Sequence, residues 1–383
     1  MNVPKLRFKE FTDEWKTHKL KDLCSINPKT PNITDKFYYI DLECVHNGKL
    51  KYIQCINKAD APSRAQRVLS PKDIIFQSVR AYQKNSYFFK KENDMQTIAS
   101  TGYAQLRTKK DNPVYIYHYL YFQKFIDKVN KLSTGTSYPA INSSDLGIIN
   151  INVPTFTEQT KIANFLSTVD KKISNLEDII TTLEKQKKGL LQQIFNQKLR
   201  FKDENGNNYP DWEKKKLGDI AIFLDSKRKP LEQGERISGK YPYYGASGII
   251  DYINNYIFDE ELLLLSEDGA NIVDRNYPIC YIATGKYWVN NHAHVLKIKS
   301  EYVNKFVAES LELLNYSKYN TGTAQPKLNQ DICKKIIISV PCLEEQTQIA
   351  DFLSAFDRKI DNQKAQLEHW KQIKKGLLQQ MFV

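Results

Sequence analysis

EQTKIANFLSTVDKKISNLEDIITTLEKQKKGLLQQIF at residues 158–195 returns as EQTQIADFLSAFDRKIDNQKAQLEHWKQIKKGLLQQMF at residues 345–382. A constant offset of 187 residues aligns the two stretches without a gap, and roughly half of the positions are identical. A repeat of this kind indicates that the chain is built from two copies of one plan.

Both stretches show the 4-3 apolar spacing of a helix that buries one seam against another helix. Lys187 and Lys374 interrupt the seam at equivalent positions, and Leu190 and Leu377 resume it. A charged seam residue usually fixes register at some cost in stability. The predicted seam residues are Ile162, Leu166, Val169, Ile173, Leu176, Ile180 and Leu183 in the first helix and Ile349, Leu353, Phe356, Ile360, Leu367 and Trp370 in the second.

The repeat extends beyond the helices. LRFK at residues 6–9 precedes Trp15, and the same four letters at residues 199–202 precede Trp212. Further on, TGTSYPAIN aligns with TGTAQPKLN at the same offset as the helices. The predicted segments are a first domain at 1–153, the first long helix at 154–197, a linker with a second domain at 198–340 and the second long helix at 341–383.

The regions between the markers are rich in short β-type runs, with helical patterning near residues 114–129 and 303–314. Because the second helix must begin near the end of the first, it can bury its seam by running back along it. We therefore predict an α+β fold: two strand-rich domains joined by two long helices in an antiparallel coiled coil, with internal pseudo-twofold symmetry. The interiors differ, since FQSVRAYQKNSYFF at residues 76–89 has no close counterpart around LLLLSEDGANIVDR at residues 262–275.

Composition narrows the possible functions. The formal net charge of +12 and a sequence pI near 9.1 indicate attraction to polyanions such as nucleic acid. No apolar run is long enough to span a bilayer and the first residues lack a signal-peptide core, so we expect a cytoplasmic protein. The six cysteines form no C-x-x-C pair, which argues against a zinc site and a disulfide framework.

The paired helices, the LRFK…W markers and the TGT-x-x-P loops resemble the specificity subunit of type I restriction-modification enzymes over essentially the whole chain. The resemblance implies two target recognition domains that read an asymmetric bipartite site in double-stranded DNA. It also implies partners, two adenine-methyltransferase subunits and two restriction (motor-nuclease) subunits. S-adenosylmethionine, ATP and magnesium are expected in those partners, and no cofactor is expected in this non-catalytic chain.

Motifs for catalysis are missing or incomplete. An N/D-P-P-Y/F methyltransferase motif does not occur. The stretch at residues 234–240 fits G-x-x-x-x-G-K, but Tyr241 stands where Ser or Thr would bind magnesium, and Pro242 follows where a helix should start. His292 and His294 form an H-x-H pair with no Cys, Asp or Glu close in sequence, so strand alternation explains them better than a metal site does.

Arginine, lysine and amide side chains that follow strands are the candidates for hydrogen bonds to bases. The alternative is that they are ordinary exposed loop residues. They are Gln77, Ser78, Arg80, Tyr82 and Lys84 in the first domain and Tyr243, Tyr244, Ser266, Asn271, Lys286, Asn290, Asn291 and His292 in the second. The TGT loops offer hydroxyls and backbone N–H groups to phosphates, with a structural turn as the alternative. Their residues are Thr134, Gly135, Thr136, Thr321, Gly322 and Thr323.

Partner subunits are expected to dock on the outer face of the helix pair. The candidates next to the seam are Phe165, Phe195, Phe352 and Phe382, unless these widen the internal seam. Two other functions are compatible with the sequence: recognition subunit of a system in which methyltransferase and nuclease are fused, and a stand-alone DNA-binding scaffold or regulator.

Overall fold

The structure is a computed structural model that describes residues 3–91, 94–322 and 325–383. The chain divides into two compact units, Met1–Asp178 with Ala365–Val383 and Ile179–Lys364. Each long helix contributes residues to both units. None of the helices within the described ranges is long and apolar enough to cross a membrane.

The helices and strands of the two units follow one another in a similar order. Up to the first long helix they are β1 (Lys16–Lys19), α1 (Leu20–Leu23), β2 (Cys24–Ile26), β3 (Lys36–Ile40), β4 (Val45–His46), β5 (Lys49–Leu50), β6 (Gln54–Asn57), β7 (Ala65–Val68), β8 (Ile74–Gln77), β9 (Tyr87–Phe88), β10 (Thr97–Ser100), β11 (Tyr103–Thr108), α2 (Pro113–Tyr119), α3 (Gln123–Leu132), α4 (Ser143–Gly147), β12 (Asn150–Val153) and α5 (Phe156–Phe195). Then come β13 (Glu213–Lys216), α6 (Leu217–Ile220), β14 (Ala221–Phe223), β15 (Ser238–Gly245), β16 (Gly248–Ile253), β17 (Phe258–Asp259), β18 (Leu262–Ser266), α7 (Asn271–Asp274), β19 (Cys280–Ala283), β20 (Lys286–Val289), β21 (Ala293–Ile298), α8 (Asn304–Glu312), α9 (Gln330–Lys334), β22 (Ile337–Val340) and α10 (Leu343–Met381).

The two units share a frame. In the first, β1 pairs antiparallel with β12, and a four-stranded sheet has the order β2-β11-β8-β9. In the second, β13 pairs with β22 and the corresponding sheet has the order β14-β21-β18-β19. Strand β8 therefore corresponds to β18, and β11 to β21. The predicted α+β fold and the predicted repetition of one plan are confirmed.

A second sheet is also built in the same way in the two units. The first unit adds a four-stranded sheet of order β6-β3-β10-β7, and the second adds one of order β16-β15-β20-β17. Each contains one parallel pair, β3 with β10 and β15 with β20. The two units thus share the order of strands in both sheets, although their interior sequences have diverged.

Inside each unit the long helices run antiparallel, as predicted. In the first unit Lys374 Nζ lies 2.6 Å from Asp170 Oδ1, and farther along, Lys371 Nζ lies 3.9 Å from Glu177 Oε1. Residue numbers rise on one helix while they fall on the other. The second unit repeats the arrangement, with 2.7 Å from Lys187 Nζ to an Asp357 oxygen. The seam lysines therefore pair with aspartates at equivalent places on the opposite helix.

Most seam positions are buried. All of the predicted positions of the first helix and Ile349, Leu353, Ile360 and Leu367 of the second are buried, whereas Phe356 and Trp370 are half-buried. Beyond the lysines the prediction is off by one residue. Leu191 and Leu378 are buried and Leu190 and Leu377 only half-buried, because at these ends the helices pack into the hydrophobic cores of the units.

Two of the predicted docking phenylalanines lie in the cores of the units instead. Phe382 is 3% exposed, with its ring centroid 5.2 Å from that of Tyr119. Phe195 is half-buried and stacks on Phe306 at 5.3 Å. The docking prediction is wrong for these two residues, because the ends of the long helices are covered by the aromatic helices of the strand-rich domains.

A buried glutamate connects each LRFK…W marker to the start of a long helix. Glu158, 1% exposed, accepts hydrogen bonds from Arg7 Nε and Nη2, both at 2.8 Å, and from Trp15 Nε1 at 3.3 Å. Glu345 is held by Arg200 and Trp212 in the same way. The sequence repeats all of these residues, but it gives no sign that they meet.

Replacing Glu345 by Gln should lower the free energy of unfolding by about 1.5–3 kcal/mol, because the half-buried Arg200 guanidinium loses its charged hydrogen-bond acceptor. Urea unfolding of the full chain measures this. Glu344→Gln is the matched control, since Glu344 is exposed and should change the free energy by less than about 0.5 kcal/mol. Equal effects of the two substitutions would contradict a stabilising role for the buried glutamate.

Candidate nucleic-acid interface

The structure brings two predicted segments of the first unit together at one edge. Val79, just after β8, forms a β-bridge with Ala140 at the end of the TGT loop. Beside it, Arg80 N–H donates to the Pro139 carbonyl at 2.7 Å, and Ile141 N–H donates to the Ser78 carbonyl at 3.0 Å. The end of β8 and the loop at residues 134–140 therefore form one junction.

The second unit builds the same junction from an unrelated sequence. Gly269 N–H donates to the Pro326 carbonyl at 3.0 Å, and Leu328 N–H donates to the Glu267 carbonyl at 2.7 Å. A β-bridge joins Asp268 to Lys327. Residues 76–89 and 262–275 therefore make equivalent backbone hydrogen bonds although their sequences do not match. Arg80 in the first unit is equivalent to Gly269 in the second.

Several predicted base-reading residues are buried, so their assignment as direct contacts is wrong. Gln77, 3% exposed, donates its amide to Gln83, and the Ser78 hydroxyl donates to the Gly102 carbonyl, both at 2.8 Å. These side chains satisfy buried backbone and amide groups within the junction, so they are not free to meet a base.

Three predicted base-reading residues of the second unit are also buried. Tyr243 is 1% exposed and contacts the backbone of Leu231 through its hydroxyl. Ser266 donates to the Ala246 carbonyl, and Asn290 accepts from the His292 N–H at 2.8 Å. A polar residue after a strand resembles an exposed loop residue in sequence, but here neighbouring strand ends cover it.

Other predicted residues remain at the surface of the first unit. Tyr82 is 52% exposed. Arg80 and Lys84 are both in the left-handed region, with φ of +55° each. Lys84 Nζ donates to Gln123 Oε1 at 2.8 Å, and burial lowers the pKa of the amine.

In the second unit, the predicted residues divide between two places. Asn291 and His292 lie in the turn between β20 and β21, and the His292 ring lies 2.8 Å from an Asp268 carboxylate oxygen at the junction. Asn271 closes a turn with Tyr277, two residues beyond Gly269. Tyr244, near the end of β15, stacks on Tyr281 at 5.8 Å.

Lys286 does not join this group. It begins β20 rather than ending it, and its ammonium lies 4.6 Å from the centroid of the Tyr256 ring. Gly239 and Lys240 of the apparent phosphate-binding motif are in the extended strand β15. A phosphate loop would lead into a helix there, so the structure agrees with the rejection of that motif.

The glycines of the TGT loops have a backbone reason for being there. Gly135 has φ of +100°, which favours glycine, and a Cβ on Gly322 would collide with the Gln325 carbonyl oxygen. Thr134 and Thr136 are exposed, whereas the Thr321 hydroxyl donates to the Lys327 carbonyl at 3.1 Å. Thr323 lies outside the described residues.

A buried ionic network anchors the second TGT loop. His294, 1% exposed, contacts Asp225 through Nδ1 and the Leu328 carbonyl through Nε2, both at 2.7 Å. Arg228 Nη1 lies 2.6 Å from a Glu267 oxygen. Burial opposes protonation of His294, but hydrogen bonding and charge interactions with Asp225 and Cys333 together outweigh it and raise the histidine pKa to about 10.

The expectation that no acidic group lies near the H-x-H pair is therefore wrong, because carboxylates distant in the chain meet it. Asp225, Glu267 and His294 have potential ligand atoms within 4.8 Å of one another. However, both carboxylates already pair with cations, Asp225 with His294 and Arg228, and Glu267 with Arg228 and Lys327. We interpret the cluster as an anchor for the loop rather than as a metal site.

The raised pKa predicts how stability changes with pH. Protonated His294 stabilises the fold fully below its unfolded pKa of about 6.5, and this contribution is lost as the pH rises towards the folded value of about 10. His294→Gln should therefore cost about 3 kcal/mol near pH 6 and progressively less up to pH ~9.5. Urea unfolding across this range measures the difference. His292→Gln, at the exposed histidine of the pair, should change the free energy of unfolding by less than about 1 kcal/mol. A difference for His294→Gln that does not vary with pH would contradict the assignment.

Two strand-rich units, each with a loop and a strand end joined at one edge, define a protein built twice from one module. A profile of the type I restriction modification DNA specificity domain matches the chain twice, at residues 12–185 and 209–370. The matches cover most of the chain, so this protein belongs to the type I restriction-modification DNA specificity family.

Relatives and solved structures agree with this family. A Haemophilus influenzae protein named as type I restriction enzyme specificity subunit S.HindORF215P is 37% identical over 141 residues, 37% of this chain and 36% of that protein. The chain thus spans about a third of that relative's length. The type I restriction enzyme MjaIX specificity subunit of Methanocaldococcus jannaschii is 23% identical over 410 residues, 95% of this chain and 92% of the relative. The crystal structure of the type I S subunit from M. genitalium has the same fold, with a TM-score of 0.63, 18% identity and coverage of 100% and 99% of the two chains.

Proposed function

We propose that this chain is the DNA-recognition subunit of a type I restriction-modification complex and that it reads an asymmetric bipartite site through its two units. The proposal rests on the junction of TGT loop and strand end, which is built twice from the same backbone hydrogen bonds. A shared junction suits phosphate contacts, which carry no sequence information. The side chains around it differ between the units, as two different half-sites require.

Charge and side-chain chemistry support duplex DNA as the ligand. The net charge of +12 favours a polyanion, and neutralising phosphates supplies a large part of DNA-binding affinity. Exposed Thr134 and Thr136 offer hydroxyl donors of the kind that bind phosphate, whereas the Thr134 N–H donates to the Ala140 carbonyl. Arg80, Tyr82, Asn291 and His292 remain as candidates to reach the bases.

The length of the long helices bears on the spacing of the two half-sites. Helix α5 has 40 residues and α10 has 39, about 60 Å of continuous helix each. Paired DNA-reading elements contact half-sites about 34 Å apart, one turn of the duplex. We infer that the helix length determines how many base pairs separate the half-sites.

We assign catalysis to partner subunits. The chain carries no adenine-methyltransferase motif, so base flipping and methyl transfer would be done by two methyltransferase subunits that hold S-adenosylmethionine. Two restriction subunits would use ATP and magnesium. This chain supplies the recognition surface and the helices on which the partners assemble.

The first turn of each long helix is our revised docking site for the methyltransferase subunits. Phe156 is 57% exposed and Leu343 is 44% exposed, and they occupy equivalent positions in the repeat. Phe165, which packs edge-on against Phe8 and is 39% exposed, extends the apolar surface of the first helix. Phe352 is half-buried against Phe201, so it contributes less.

The double variant Phe156→Glu/Leu343→Glu should lose co-purification of the methyltransferase subunit, because each charge is placed on an exposed apolar contact. Its unfolding temperature should stay within about 2 °C of the parent, since exposed side chains contribute little to folding. Phe382→Glu is the contrasting variant: it should unfold the chain, because a charge enters the aromatic core. An intact complex with the double variant would reject this docking site.

Methylome sequencing tests the proposed function. Deleting the gene should remove adenine methylation from one split motif while other methylated motifs persist, and restoring the gene should return it. Unchanged methylation in the deletion strain would contradict a role in directing methyl transfer.

A further inference from the structure

Arg80 occupies a backbone position that suits glycine. Its φ and ψ are +55° and +49°, in the left-handed region that L-residues other than Gly, Asn and Asp rarely adopt. The equivalent residue of the second unit is Gly269, with φ of +105°. Both donate their N–H to the proline carbonyl of the TGT loop. The first unit therefore has a long cationic side chain where the backbone alone would favour glycine, a form of strain typical of functional sites.

The Arg80 side chain is oriented by an aromatic ring but has few polar partners. The guanidinium carbon lies 4.1 Å from the centroid of the Tyr138 ring, and Tyr138 is 66% exposed. Nη2 makes a long hydrogen bond of 3.3 Å to the Ser137 carbonyl. Nε is buried without a partner among the described residues, and within the same residues Arg80 forms no ion pair.

This arrangement differs from that of the other arginine in the left-handed region. Arg275 has φ of +53°, and its guanidinium lies 2.7 Å from Glu312 and also donates to the Leu314 carbonyl at 3.1 Å. Arg275 thus has an internal partner that accounts for its position. Among the described residues Arg80 has no carboxylate partner, and its guanidinium lies over the Tyr138 ring at the junction, beside the exposed TGT loop.

We propose that Arg80 reads a guanine in the first half-site and that Tyr138 is its positioning residue. A guanidinium donates two parallel hydrogen bonds to guanine O6 and N7, the commonest specific contact in the major groove. A ring stacked on the guanidinium restricts its plane, so less conformational entropy is lost on binding. This inference rests on the proposed function and assigns one specificity contact within it.

The second unit cannot make the equivalent contact, because Gly269 has no side chain. The guanine contact therefore belongs to one half-site only. This gives a structural source for an asymmetric site: one shared backbone junction carries a reading side chain in the first unit and none in the second.

The test compares Arg80→Gly with Lys72→Gly in the full chain, purified together with the subunits that accompany it. Lys72 is exposed, has φ of +73° and precedes β8, whereas Arg80 follows it. Both substitutions remove one positive charge and relieve one left-handed residue. Each protein is equilibrated with a library of duplexes randomised over the recognition site, and the enriched sequences are counted.

The parent and Lys72→Gly should prefer G·C at one position of the first half-site. Arg80→Gly should lose that preference by roughly 5- to 150-fold, with the second half-site unchanged and the unfolding temperature no lower than that of the parent. Arg80→Lys should lose the preference as well, because an ammonium lacks the fork.

Tyr138 is tested in the same library. Tyr138→Phe keeps the ring and should keep the preference, whereas Tyr138→Ala should weaken it without changing which base is favoured. If both variants behave like the parent, the positioning role is overturned.

The outcomes separate this inference from the function on which it rests. If Arg80→Gly keeps the parent's preference, or weakens binding equally for all sequences as a phosphate contact would, the guanine assignment is overturned while the proposed function stands. If the parent enriches no sequence at all, both are overturned.

Discussion

Two lysine–aspartate pairs determine how the long helices pack in each unit. Lys374 meets Asp170 in the first unit, and Lys187 meets Asp357 in the second, each lysine standing in the apolar seam of its own helix. Shifting either helix by one residue would separate an ammonium from its carboxylate in a half-buried environment. Register is therefore set by charge as well as by apolar burial, and the placement of the strand-rich domains on the helices depends on it.

The surroundings of these pairs differ between the units. In the second, Glu309 also pairs with Lys187. In the first, the buried His118 lies near Asp170, and burial lowers the pKa of the histidine to about 4, so it is neutral at physiological pH. The lysine–aspartate pair of the second unit thus has an additional carboxylate beside it, and the pair of the first unit has an uncharged histidine ring. The lysine–aspartate pair between the helices is repeated in both units, whereas the domain residues around it differ.

The sequence predicts the long helices because their evidence is local: spacing, length and repetition lie within one continuous stretch. It fails where a residue's role depends on distant segments. Glu158 and Arg7 are far apart in the chain, and nothing in either neighbourhood shows that they form a buried pair. Ser266 and Gln77 were predicted to be exposed because polar residues follow strands there, but neighbouring turns bury them. The relation between Arg80 and Gly269 is also absent from sequence, since only backbone hydrogen bonds align them.

Shared frame and divergent interior fit the proposal that one chain reads two half-sites. The junction of TGT loop and strand end and the order of strands are the same in both units, whereas the side chains at the junction differ. In the proposed function the repeated junction contacts phosphate, and the base-facing groups are free to vary. Family membership agrees with this division, because the same domain profile matches each half of the chain.

The most direct test exchanges residues 211–340 for the corresponding segment of a relative with a different target, followed by methylome sequencing of cells that carry the hybrid. The account predicts a methylated motif with one half-site replaced and with the other half-site and the spacing unchanged. A motif altered in both half-sites, or in neither, would contradict the claim that each unit reads its own half.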